Sequence, residues 1–78
     1  MRTCEIEVPA GAVVMKQGQV GREMFIVAAG IADVEIDGKT VARVGAGEPL
    51  GLMGLLEATP RSATATALTP MHVLVLSR

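Results

Sequence analysis

The chain has neither tryptophan nor tyrosine, and its one phenylalanine is Phe25. A core without rings must pack through Val, Ile, Leu, Met and Ala. No ring other than Phe25 can stack on a base, and Phe25 is assigned to the core. Cysteine is almost absent as well. Cys4 alone excludes an internal disulfide and a cysteine-based zinc site, and it fits a reducing, cytoplasmic setting. Neither sign of charge is in excess: seven Lys and Arg against eight Asp and Glu give a formal net charge of −1. With no basic run and no stacking platform, direct nucleic-acid binding by this segment is not expected. No apolar run approaches the roughly 18–20 residues of a spanning helix, so no membrane segment is expected. The opening MRTCEIEV is charged where a secretory signal needs an apolar stretch.

What remains is a chain of 78 residues, half of them apolar and 19% charged. That excludes disorder and allows a single domain over residues 1–78, with no room for a cleft between two domains. Nine glycines punctuate it at short intervals. Between them lie short runs rich in β-branched residues, the pattern of many short strands joined by turns. Residues 4–8 alternate apolar and polar, residues 12–15 form a short apolar run, and residues 24–28 read as a buried strand. Ala32, Val34 and Ile36 alternate with Asp33, Glu35 and Asp37, giving one dry face and one solvated face. Asp37-Gly38 between two such runs predicts a two-residue hairpin with a type I′ turn. Residues 40–44 return, residues 63–68 alternate Ala with Thr, and residues 72–76 form a last buried strand. Only the stretch from Gly47 to Glu57 breaks this rhythm. It reads as a loop with a short helix near residues 52–57, too short to stand without the barrel. Cys4 is expected to be a small buried residue, and Met15, Met24, Met53 and Met71 adaptable core fillers. His72 is expected to be a partly exposed strand residue and not a metal ligand. No nucleophile–base pair is present, so the chain is not expected to be an enzyme.

One segment carries chemistry. A glycine-flanked helical turn after Gly51 presents backbone N–H groups, and Arg61 follows about ten residues later, just before a strand. Arginine offers a planar fork that matches two phosphate oxygens at any working pH, and Ser62 adds a hydroxyl and an N–H beside it. A solvated surface arginine would have the same spacing.

Further residues sharpen the choice. Pro9-Ala10-Gly11, Gln17-Gly18, Gly21, Met24-Phe25-Ile26-Val27, Gly30, Gly45-Ala46-Gly47-Glu48, Gly51 and the run Pro60-Arg61-Ser62-Ala63-Thr64-Ala65-Thr66-Ala67 occur in order. In these the chain resembles the cyclic nucleotide-binding domain of bacterial regulators, kinase regulatory subunits and gated channels. The resemblance implies an all-β fold: an antiparallel jelly-roll barrel of the double-stranded β-helix type, with one short helix in a phosphate-binding cassette. It implies that Gly51, Leu52, Met53, Gly54, Arg61, Ser62 and Ala63 form that cassette. Arg61 would hold the cyclic phosphate, and Val34 on the central hairpin would pack against the ligand. The implied ligand is a cyclic nucleotide, cAMP ahead of cGMP, with no other cofactor. The implied partner is a fused or associated effector domain.

Two features depart from the family. Its members carry a glutamate for the ribose 2′-hydroxyl where this chain has Leu52, and Glu48 and Glu57 lie nearby but do not match that position. Losing one charge-assisted hydrogen bond weakens binding roughly 10- to 150-fold. The family's flanking helices, including the hinge and lid helices, also have no counterpart here. The expectation is a fragment of a larger regulator or a reduced stand-alone member. Two other readings stay open: a degenerate barrel serving interaction or homo-oligomerisation, and the same fold holding a different small molecule. The Ala-, Val- and Gly-heavy composition points to a GC-rich bacterial source.

Overall fold

A computed structural model describes residues 2–77. Its elements, in order, are β1 (Arg2–Val8), β2 (Val13–Met15), β3 (Val20–Gly21), β4 (Glu23–Ala29), β5 (Ala32–Ile36), β6 (Lys39–Val44), β7 (Pro49–Leu50), α1 (Leu52–Leu56), β8 (Thr59–Pro60), β9 (Thr64–Ala67) and β10 (Met71–Ser77). One sheet has the order β1-β10-β4-β7 and the other β2-β9-β5-β6, while β3 and β8 pair by themselves. Every pairing is antiparallel, and the two four-stranded sheets face each other as the jelly roll requires.

The sheets divide the core by size. The first contributes Val8, Phe25, Val27, Leu50, Met71 and Val73; the second contributes Ala32, Ala65 and Ala67. Among the buried residues, large side chains on one face thus meet small ones on the other, and Met15, Val34 and Val44 of the second sheet pack against them half-buried. Register partners Val27 and Val73, on the central strands β4 and β10, are fully shut off from solvent. The Ala–Thr alternation of β9 is read out directly, with Ala65 and Ala67 buried and Thr64 and Thr66 half-buried.

The hairpin signal is realised at Asp37 (φ 52°) and Gly38 (φ 80°), with Ile36 opposite Lys39. Positive φ at both central residues matches the type I′ turn. Helix α1 has five residues and packs against β4, β3 and β8. Neighbouring Met24 and Phe25 are both buried, so β4 is covered on both faces at this point.

Three expectations change. Cys4 is exposed. It shares a face of β1 with Ile6 and Val8, and that face is covered at Val8 (7% exposed) but open at Ile6 (41%). Met53 is 54% exposed on α1 and is no core filler; Met24 and Met71 are buried, and Met15 is half-buried. The carboxylate row on β5 is not evenly solvated: Asp33 and Glu35 are half-buried, and Asp33 Oδ1 accepts from Arg43 Nε at 2.8 Å. The two-residue strands β3, β7 and β8 are too short to leave a periodic trace in the sequence. His72 is the partly exposed strand residue expected, on β10 between Glu5 (3.5 Å) and Glu7 (3.8 Å) of β1.

Two glycines separate backbone strain from close packing. Gly11 (φ +88°) has open space where a Cβ would stand; Gly30 (φ +94°) would bring that atom onto the Pro70 carbonyl and within 2.9 Å of Met71 Cα. Gly11→Ala should cost about 1–2 kcal/mol, the left-handed penalty alone. Gly30→Ala should cost clearly more. For a domain this size each kcal/mol lowers Tm by about 4–8 °C, so thermal unfolding of the two variants separates the terms. Equal losses would contradict the close approach at Gly30.

Candidate functional site

Arg61 lies between β8 and β9 and is 8% exposed, the one charged residue in the buried class among the described residues. Its main chain is held on both sides by the turn of residues 16–19. Gly18 N–H donates to the Arg61 carbonyl at 2.9 Å, and Arg61 N–H donates to the Gln19 carbonyl at 2.9 Å. Its side chain runs inward. Nη1 donates to the Gly51 carbonyl at 3.2 Å, Nη2 lies 3.6 Å from Glu23 Oε1, and Cζ stands 5.5 Å from the centre of the Phe25 ring. That last distance is within cation–π range. The guanidinium has five N–H donors, and Gly51 takes its one hydrogen bond among the described residues. The remaining donors are the capacity for an anion.

Three glycines make room for this group. A Cβ at Gly21 would fall on the Arg61 guanidinium, and one at Gly51 or Gly54 would stand 2.5 Å from Nη1. Gly51 is also the left-handed residue (φ 73°, ψ 30°) that opens α1, whose N-terminus has no side-chain cap. The glycines of this region are therefore required by the arginine as well as by the turns.

Six of the expected site residues come together. Gly51, Leu52, Met53, Gly54, Arg61 and Ser62 line one pocket of about 340 Å³, joined by Met15, Thr59 and Pro60. Ala63 is buried beside it (5% exposed) and does not line it. Val34 is half-buried on β5 opposite Ala65 and Ala42 and is not part of the lining either. Leu52 is half exposed at 51%, so it belongs to the pocket wall and not to a closed core. Neither nearby glutamate replaces the missing carboxylate. Glu48 Oε2 accepts the Gly45 N–H at 2.6 Å, and Glu57 lines a separate hollow of about 520 Å³ beside α1. That hollow is wider but excludes Arg61.

The sequence reading missed Gly21, Glu23 and Phe25 as neighbours of the arginine, and Met15 and Thr59 as pocket walls. Gly21 had a signal, its place in the glycine spacing, but nothing local tied it to Arg61 forty residues later. The cradle predicts a specific coupling. Gly21→Ala should destabilise the domain by about 1–3 kcal/mol through overpacking. In an Arg61→Ala background the same change should be nearly neutral. A double-mutant cycle in urea reads the difference, and additive losses would contradict the cradle.

With the geometry in place, comparison with known proteins is direct. Residues 5–78 match the family model of the cyclic nucleotide-binding domain. A cyclic nucleotide-gated potassium channel of Rhizobium etli is 42% identical over 69 residues, covering 88% of this chain and 19% of the channel. A cyclic nucleotide-binding domain from Methylobacillus flagellatus superposes with a TM-score of 0.93 at 30% identity, over 97% of this chain and 46% of that one. The cAMP-bound PfPKA-R chain gives a TM-score of 0.91 at 29% identity, over 97% of this chain and 27% of that one. The chain spans less than half the length of each of these three relatives. It belongs to the cyclic nucleotide-binding domain family.

Proposed function

We propose that this domain binds a cyclic nucleotide through the Arg61 pocket and serves as the sensing module of a larger regulator. The observation that carries the proposal is the buried guanidinium of Arg61, set in a glycine cradle at the wall of a pocket of about 340 Å³. A largely buried, preorganised cation with donors to spare favours a phosphate over water. Ser62, exposed next to it, adds a hydroxyl. We propose cAMP ahead of cGMP, with the likeness to a cAMP-bound chain as support, although cGMP-dependent kinases are also among the relatives. Ala63 and Val34 are proposed to support the pocket from behind and not to line it.

The ligand's phosphate end is served better than its sugar. Leu52, Met53, Met15 and Pro60 line the pocket with apolar surface, and no carboxylate stands where a ribose hydroxyl would seek an acceptor. The proposal is therefore weak binding. The same lining supports a second reading, an organic anion with an apolar body. Among the described residues no helix is long and apolar enough to cross a membrane. We place the module in the cytoplasm, attached to or associated with an effector.

Calorimetric titration with cAMP and cGMP tests this. Heat saturating at high micromolar to millimolar ligand is expected for the wild type, an order inferred from the missing charge-assisted bond. Arg61→Ala should abolish it, and Leu52→Glu should tighten it roughly tenfold or more. Absence of heat at millimolar concentration of both nucleotides would overturn the proposal. Tighter binding of an apolar organic phosphate than of cAMP would favour the second reading.

A further inference from the structure

The tip of the β5–β6 hairpin is fastened by one side chain from far away in the sequence. Asp37 N–H donates to Gln17 Oε1 at 2.9 Å, and Gln17 Nε2 donates to Asp37 Oδ1 at 2.9 Å. A carboxamide facing a backbone donor and a carboxylate acceptor has one sensible orientation, so both bonds stand or fall together. Gln17 is fixed at its main chain too, where its N–H donates to Thr64 Oγ1 at 3.0 Å. Thr64 opens β9, and β9 pairs with β5 there, Glu35 opposite Thr64.

The next two residues after Gln17 hold Arg61. Gly18 N–H and the Gln19 carbonyl take both polar groups of the Arg61 main chain. Gly18 adopts φ +87°, and Gln19 N–H closes the turn on the Lys16 carbonyl at 3.2 Å. One short turn therefore touches the hairpin tip, the start of β9 and the backbone of the buried arginine. Gln17 lies outside the residues lining the Arg61 pocket, so it does not meet the ligand there. We infer that Gln17 is a positioning residue: its carboxamide ties the hairpin tip to the turn that clasps Arg61, and so holds the guanidinium in register with its cradle. The effect on affinity rests on the cyclic-nucleotide reading; the clasp itself does not.

The test is charge exchange across the two bonds. Gln17→Glu removes the donor and sets a carboxylate against Asp37. Asp37→Asn keeps an acceptor for Gln17, and in the double variant the introduced asparagine amide restores a donor to the introduced glutamate. Amide hydrogen exchange, followed by NMR on the intact domain without ligand, is the first readout. In Gln17→Glu the Gly18 and Arg61 amides should exchange about tenfold faster while Val27 and Val73, in the core, stay unchanged. Asp37→Asn alone should behave as wild type, and the double variant should recover protection. The second readout is cAMP affinity, which should fall about three- to tenfold in Gln17→Glu and return in the double variant. Unchanged exchange at Gly18 and Arg61, or no rescue by Asp37→Asn, overturns the clasp. Faster exchange with unchanged affinity overturns its positioning role. If wild type binds no cyclic nucleotide, the functional proposal fails, and the exchange measurements still decide the clasp.

Discussion

A cation taken out of water governs this domain. Removing an ion from solvent carries a penalty on the order of several kcal/mol unless neighbours compensate it. Arg61 finds that compensation in the Gly51 carbonyl, the Glu23 carboxylate at 3.6 Å and the face of Phe25. Glu23 and Phe25 are remote from Arg61 in sequence and Gly51 lies ten residues before it, so the arginine can be buried only after β4, the opening of α1 and the segment after β8 have come together. The absence of side chains at Gly21, Gly51 and Gly54 is the steric half of the same constraint. Any side chain there would displace the group that the site is built around.

The compensation is incomplete. The Glu23 side chain is 44% exposed and sits at a loose ion-pair distance, so it is screened by water and holds the guanidinium lightly. A phosphate arriving through the pocket meets a cation that is positioned but not saturated. The same lining includes Leu52 and Met53, each about half exposed. Phe25, the chain's one residue among Phe, Tyr and Trp, lies buried under the arginine and offers no face to a base.

Local chemistry was legible in the sequence where it was self-contained. Asp37-Gly38 specifies its turn because positive φ is a property of those two residues. The Ala–Thr alternation of β9 shows its buried face because a strand has period two. Arg61, Ser62, Gly51 and Gly54 were identified by the family pattern, and the fold brings them to one pocket with Leu52 and Met53. What escaped depends on partners remote in sequence. Cys4 alternates like a buried residue, but burial is decided by whether the opposing sheet reaches it. Met53 looks like core until the short helix turns that side outward. The roles of Gly21 and Gln17 are set by contacts across forty and twenty residues, which no window along the chain contains.

The central claim is that one buried guanidinium receives the ligand's phosphate. The most direct measurement is an NMR titration with cAMP that follows the Arg61 Nε–H signal together with the amides of Gly21, Gly51, Gly54 and Ser62. These signals should move together and saturate along a single binding curve, with the largest change at Arg61. Saturable shifts confined to another part of the barrel, with Arg61 Nε–H unmoved, would contradict it.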